Sequence, residues 1–176
     1  MSEIKQSHIT DSEIKVKCEI IVVSDSLSKL GEDWKIKDKS GNIALEFFLS
    51  KNIEVNNLSV VEDSIELIRM KVNSIIKKQP EVNLIVTIGG TGISKRDITI
   101  EALRPLLDKE LPGFGEIFRL ETYKELKTVA IMSRAIAGVK DHIIICCLPG
   151  SSNAVKLGLS ILEPEILHIL NLRLKK

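Results

Sequence analysis

Residues 84–92, Leu-Ile-Val-Thr-Ile-Gly-Gly-Thr-Gly, run from an apolar, β-branched segment straight into a glycine-rich turn. A short run of this kind without polar alternation suits a strand covered on both faces. Two other stretches read the same way, 18–24 (CEIIVVS) and 143–148 (IIICCL), and 53–61 reads as a further strand. Between them, apolar residues recur at helical spacing. Ile43, Ala44, Phe47 and Phe48 form one such set, running to about Lys51. Ile65, Ile68, Val72, Ile75 and Ile76 form a second, opened by Asp63 and followed by Pro80. A short helix from Thr99 stops near Arg104, before Pro105, and Ile117, Leu120 and Tyr123 mark another within 113–126. Two closing helices, 152–162 and 164–173, are divided by Pro164, which fits a first helical turn. Residues 25–41 read as a polar, Lys/Asp-rich loop. Strands alternating with helices predict an α/β fold, a three-layer α/β/α arrangement with a mostly parallel central sheet.

The composition agrees with one domain. The chain has 176 residues, 44% of them hydrophobic, so a core forms without disulfides or structural metal. Residues 1–17 read as a mobile or loosely docked extension and 18–176 as the single domain. A net charge of +1 and 3% aromatic residues give neither an electrostatic footprint for nucleic acid nor a base-stacking platform. No segment approaches the roughly 20 apolar residues that cross a bilayer. The first residues lack the apolar stretch of a signal peptide, so a cytoplasmic protein with no membrane partner is expected. Cys146 and Cys147 are adjacent within an apolar run and Cys18 opens another, a pattern of buried inert thiols pointing to opposite faces of a strand. His8, His142 and His168 show no metal-ligand spacing.

Right-handed crossovers aim the C-terminal ends of parallel strands at one edge, where open α/β sheets bind ligands. Ser24-Asp25-Ser26, Gly89–Gly92 and Pro149-Gly150-Ser151 each follow a strand, so they are expected to converge on one rim. The Gly89-Gly90-Thr91-Gly92 run has two readings. It is a tight strand-to-helix turn, or a loop whose successive N–H groups hold phosphate oxygens. It is neither a Walker A loop nor a dinucleotide fingerprint, because no GK[ST] follows and Lys95 stands where the third glycine belongs. Asp63, with Glu66 three residues on, reads as a helix cap, and Asp97 as a turn or cap. Alternatively, the two carboxylates suit Mg²⁺ beside a triphosphate. Arg96, Arg119 and Arg134 are candidate forked donors to phosphate or carboxylate. Gly150 with Ser151 is a second candidate anion site, or a plain helix start.

These residues resemble the MoaB/Mog family of molybdenum-cofactor biosynthesis proteins. The resembling stretches are VTIGGTGISKRDITIEAL (86–103), LPGFGEIFR (111–119), SRAIAGV (133–139) and LPGSSNAV (148–155), with SDS (24–26) and DKSG (38–41) upstream. GGTG, RD, PGFGE, SR and PG in that order are specific, and the likeness covers about 18–172, leaning to the MoaB branch. The resemblance implies a nucleotidyltransferase that adenylylates molybdopterin with Mg²⁺-ATP, releasing pyrophosphate before metal insertion. It puts the family's essential aspartates on Asp63 and Asp97, which would hold Mg²⁺, and its phosphate loop on Gly89, Gly90, Thr91 and Gly92. It puts the pterin- and nucleotide-binding positions on Asp25, Ser26, Ser40, Gly41, Ser133, Arg134, Gly150, Ser151 and Asn153. It further implies a homotrimer or homohexamer and a downstream metal-insertion enzyme as partner. Around Asp63 the sequence departs from the family pattern: Glu62 and Ser64 stand where proline and a second acid are common. A non-catalytic molybdopterin-binding protein and an assembly scaffold are the competing readings.

Overall fold

The computed structural model describes residues 14–174. In chain order the elements are β1 (Lys17–Val23), α1 (Asp25–Ser28), α2 (Trp34–Lys37), α3 (Lys39–Ser50), β2 (Glu54–Val61), α4 (Ile65–Lys78) and β3 (Leu84–Ile88). There follow α5 (Thr99–Leu103), β4 (Lys109–Glu110), α6 (Pro112–Leu126), β5 (Ile136–Lys140), β6 (Ile143–Leu148), α7 (Ser152–Leu162) and α8 (Ile166–Leu174). The six strands form one sheet in the order β2-β1-β3-β6-β5-β4. The β1–β2, β1–β3 and β3–β6 pairs are parallel, with Ile20 opposite Val86 and Val86 opposite Cys146.

The continuous apolar strands are apolar because helices cover both faces. On one face Ile20, Val86, Cys146 and Leu148 pack with Phe48 of α3, Phe118 of α6, Leu159 of α7 and Leu170 of α8. On the other, Ile21, Ile85, Ile145 and Cys147 pack with Ile68, Val72 and Ile75 of α4 and with Ile100 and Leu103 of α5. Cys146 and Cys147 thus serve opposite cores, and burial pushes the Cys147 thiol up to about 12. All three cysteines are buried free thiols.

The expected architecture is present, with four corrections. The sheet carries an antiparallel edge, β5 on β6 and β4 on β5, that the apolar runs did not disclose. β5 turns into β6 through Asp141 at φ +51°, a hairpin without the Asn-Gly or Asp-Gly pair that announces one in sequence. Residues 25–41 are not a plain loop: α1 and α2 lie within them, and α3 begins at Lys39, capped by the Asp38 carboxylate 2.9 Å from the Gly41 N–H. The cap of α4 is Ser64, whose Oγ accepts from Leu67 N at 3.4 Å, and not Asp63. Finally, β1 starts at Lys17, and Ile14 and Val16 already pack against the core. The rest of the expected extension, residues 1–13, lies outside the described residues. Among the described residues no helix is long and apolar enough to cross a membrane.

Candidate functional site

The C-terminal ends of β1, β2, β3 and β6 bring their loops to one rim. Ser24 N donates to Val61 O at 2.9 Å, and Gly89 N to Leu148 O at 2.9 Å, so adjacent strand ends are stitched together. Gly89 and Gly90 take φ values of +106° and +60°, which turn the chain sharply off β3. The Thr99 hydroxyl donates to Gly89 O at 2.9 Å and Thr99 N to Gly90 O at 2.9 Å, fixing the turn from the start of α5. Thr99 is fully buried.

Asp63 reaches this turn from the end of β2. A Cβ at Gly90 would run into Thr99 Oγ1 and stand 3.0 Å from Asp63 Oδ1. Only a glycine leaves that space open beneath the carboxylate. Asp63 and Asp25 exchange hydrogen bonds, Asp25 N to Asp63 Oδ2 at 2.9 Å and Asp63 N to Asp25 Oδ1 at 3.0 Å. The Asp63 carboxyl is raised above the usual aspartate range, by burial first and then by the charges of Asp25 and Asp97, against the Asp25 amide and Arg96.

Asp97 closes the other side of the loop. Its carboxylate accepts from Ser94 N at 2.8 Å, and a Cβ at Gly92 would lie 2.8 Å from Asp97 Oδ2. Hydrogen bonds from Ser94, and then from Gly92, hold it below the usual range against partial burial. It is therefore a turn residue and not a helix cap; Ile98 precedes α5 without any side-chain cap. Asp63 and Asp97 stand close enough to feel each other's charge across the glycine turn.

A groove of about 1180 Å³ opens from this rim between α3, α6 and α7. Gly89–Gly92, Asp97, Ser133, Arg134, Gly150, Ser151 and Asn153 line its polar end, and Phe47, Leu126, Val129 and Leu157 its apolar walls. That volume exceeds the usual range for a drug-sized ligand. Asp25 and Asp63 are not among the residues that line the groove: Asp63 reaches Gly90 from outside it, and Asp25 is tied to Asp63. Ser40 joins the groove by donating to Gly150 O at 2.6 Å. Ser26 is exposed, with its Oγ 3.0 Å from Ser24 Oγ. Ser151 caps α7, accepting from Ala154 N at 3.3 Å. Gly41 is apart from the others: it is buried in the first turn of α3 against Asp38, Val22 and Leu58.

Arg134 is at the rim, but its guanidinium is turned to the protein. Nε donates to Thr91 O at 3.1 Å, Nη2 to Asp97 O at 3.1 Å, and the fork grips Glu101 at 2.5 and 3.2 Å. It braces both ends of the 91–97 loop. Nothing in the sequence marks Glu101 as the partner of Arg134, or Thr99 as the anchor of the glycine turn. Both lie inside the 86–103 stretch, whose side chains carry no spacing signal for such a role. Nor does the sequence mark the groove's apolar walls, because residues 43–48 and 117–126 carry the periodicity of ordinary core-facing helices.

The site suits magnesium on the chemistry of its donors. Among the described residues no three His, Cys, Asp or Glu side chains stand together at metal-holding range. Mg²⁺ does not need them: it is held through one or two carboxylates and takes its remaining ligands from water and substrate phosphates. Burial and neighbouring acids make charge on Asp63 costly, and a cation relieves that cost.

A family described as "Probable molybdopterin binding domain" matches residues 19–168. Molybdenum cofactor biosynthesis protein B of Staphylococcus epidermidis is 45% identical over 154 residues, 85% of this chain and 84% of the relative. The crystal structure of a molybdenum cofactor biosynthesis protein B superposes with a TM-score of 0.81 at 39% identity, covering 89% of this chain and 94% of the other. The tungsten cofactor synthesizing protein MoaB from Pyrococcus furiosus gives 0.78 at 36% identity, over 93% and 100%. The glycine turn, its two aspartates and these likenesses define one class. The chain belongs to the MoaB/Mog family of molybdenum-cofactor biosynthesis proteins.

Proposed function

We propose that the protein acts in molybdenum-cofactor biosynthesis as a nucleotidyltransferase that adenylylates molybdopterin with Mg²⁺-ATP. The observation that carries this reading is the placement of Asp63 over Gly90 and Asp97 beside Gly92, two carboxylates astride one backbone turn that lines the groove, Asp97 on the groove side. A phosphate oxygen of molybdopterin attacks the α-phosphorus of ATP. A new P–O bond forms, the α–β bridging P–O bond breaks, and pyrophosphate leaves with the electron pair. The nucleophile is already an anion, so the rim needs no strong base and works by positioning and electrostatics.

The chain's residues divide that task. Amides of Gly90, Thr91 and Gly92 hold phosphate oxygens, and Asp63 and Asp97 are the side chains that would hold Mg²⁺. When bound, the metal supplies charge neutralisation on the triphosphate and its leaving group. Asp25 keeps Asp63 in place through their paired hydrogen bonds. Ser26, Ser40, Ser133, Gly150, Ser151 and Asn153 take the polar parts of nucleotide and pterin, and the apolar walls take the flat ring systems and exclude water. Gly41 contributes through packing of α3, and Arg134 through the loop it braces.

The same reading includes a homotrimer or homohexamer. On α6, Ile117, Leu120 and Tyr123 recur at helical spacing and are 49%, 56% and 52% exposed, an apolar stripe suited to a second copy. The adenylylated product passes to a metal-insertion enzyme. Pyrophosphate release from Mg²⁺-ATP, measured with and without molybdopterin, tests the activity. Release that requires molybdopterin supports it. Molybdopterin binding with no release marks a non-catalytic binder, and binding of neither substrate marks a scaffold.

A further inference from the structure

Ser133 and Arg134 form a wall with two sides. One faces the groove; the other faces a second cavity of about 290 Å³, between the first turn of α6 and residues 131–136. Three guanidinium groups line this cavity, those of Arg104, Arg119 and Arg134, with Glu110 as the one acid. Glu110 is committed: it takes the Arg104 fork at 3.0 and 3.1 Å. Arg134 is answered from outside the cavity by Glu101. Arg119 has no carboxylate partner among the described residues. Its guanidinium lies over Gly115, where a Cβ would be 2.9 Å from Nη1 and 2.9 Å from Ala135 O. Any larger residue at 115 would displace it.

Ser133 adds an independent observation. Its Oγ is buried and has no hydrogen-bond partner among the described residues. A buried hydroxyl left unmatched calls for a ligand or water to complete it. The cavity is too small for a nucleotide, yet it offers an unpaired fork donor and an excess of positive charge, with the Ser133 hydroxyl buried in its wall. Arg side chains in this arrangement suit bidentate recognition of oxyanions.

We propose that this second cavity is a subsite for a small phosphate-class oxyanion, held by Arg119 and separated from the groove by the Ser133–Arg134 wall. Its occupant is orthophosphate from solution or pyrophosphate leaving the groove. Because Arg134 also grips Thr91 O and Asp97 O, an anion here adjoins the brace that holds the glycine loop. The inference goes beyond adenylylation and does not rest on it, since binding is measured without molybdopterin or ATP.

The experiment titrates the full chain with orthophosphate and, separately, with pyrophosphate by calorimetry. The variants are Arg119→Met, Arg119→Lys and Ser133→Ala, with Asp63→Asn as a variant of the groove. The expected result is at least tenfold weaker binding for Arg119→Met, partial recovery for Arg119→Lys, and weakening for Ser133→Ala. Asp63→Asn keeps the same subsite affinity. Tighter binding of pyrophosphate than of orthophosphate assigns the site to the leaving product, and equal binding assigns it to free anion. Wild-type affinity in Arg119→Met, or no binding of either anion to the wild type, overturns the proposal. If Arg119→Met fails to fold, Arg119→Lys and Ser133→Ala decide by the same criterion. Loss of this binding in Arg119→Met alongside normal pyrophosphate release would leave the adenylylation reading intact, so the two stand or fall separately.

Discussion

Asp25 and Asp63 hold each other by a reciprocal pair of hydrogen bonds, each carboxylate accepting the other's backbone N–H at 2.9 and 3.0 Å. The pair joins the strand ends of β1 and β2 and fixes two negative charges side by side. Neither carboxylate is neutralised by the arrangement, because backbone amides, not cations, are the donors. Asp63 consequently stays raised by burial and by its acidic neighbours, a state that favours a bound cation over a bare anion.

Asp63→Asn keeps an oxygen acceptor for the Asp25 amide and removes the charge. Turnover is expected to fall by about 10²–10³-fold, the usual cost of deleting one electrostatic contact to a transition state. The melting temperature should stay the same or rise, since a crowded acid is relieved. Steady-state pyrophosphate release alongside a thermal melt checks both halves.

Gly90→Ala strains the turn in two ways, through φ +60° and through the contacts a Cβ would make with Thr99 Oγ1 and Asp63 Oδ1. A loss of about 1–3 kcal/mol in urea unfolding is expected, together with loss of activity. Thr99→Ala removes the hydroxyl that this Cβ would strike, and with it the bond to Gly89 O; in the Gly90→Ala background it should recover part of the stability and not activity.

Glu101→Gln tests the brace. With a neutral partner, Arg134 loses the charge that holds its fork, and the 91–97 loop loosens. Faster amide exchange confined to residues 91–97 is expected, with weaker nucleotide binding. The hydrogen bond and charge of Arg134 keep the Glu101 carboxyl below the usual glutamate range. The folded form therefore holds its proton less readily, so this contribution is present above the unfolded value and is lost as pH falls through the folded one. Acidification of the wild type should reproduce the exchange pattern of the variant.

Glu19 sits in β1 on the face covered by α4, 1% exposed, and its Oε2 has no partner among the described residues. Burial raises its carboxyl above the usual glutamate range, only partly offset by Lys71 and by hydrogen bonds from Asn57 and Gln79. The sign is opposite to that of Glu101. The folded protein holds the proton more tightly, so stability from this group is full below the unfolded value and is lost as pH rises through the folded one. Glu19→Gln should remove that part of the pH slope in chemical unfolding, which sets in above the ordinary glutamate range, and should leave turnover unchanged.

Where the sequence was legible, a single physical signal dominated. The apolar runs of β1, β3 and β6 marked buried strands because helices cover both faces, and crossover handedness then required their loops to meet. Ser24, the glycine turn and Gly150 therefore meet on one rim as expected, and Asp63 and Asp97, which the family resemblance adds, stand against Gly90 and Gly92. The illegible parts are those in which two signals compete. β5 is short, includes Gly138 and turns on Asp141, so nothing in residues 136–141 announces a hairpin. Asp63 resembled a cap because Glu66 follows at the right spacing, but Ser64 is one residue closer to α4 and takes that role. Gly41 fell within a polar stretch that resembled a binding loop, and its burial depends on α3 starting four residues before the first apolar residue of the periodic set. The turning of Arg134 inward depends on Glu101, a partner 33 positions away that no local pattern connects to it.

The central claim is that Asp63, Asp97 and the Gly89–Gly92 turn make one magnesium-triphosphate cradle. Its most direct test is Mg²⁺-dependent binding of a non-hydrolysable ATP analogue, measured by calorimetry on the wild type, Asp63→Asn, Asp97→Asn and the double variant. The account predicts that Mg²⁺ strengthens binding at least tenfold in the wild type, that either single variant abolishes the gain, and that the double variant is no worse than either. Full Mg²⁺ enhancement in both single variants would contradict it.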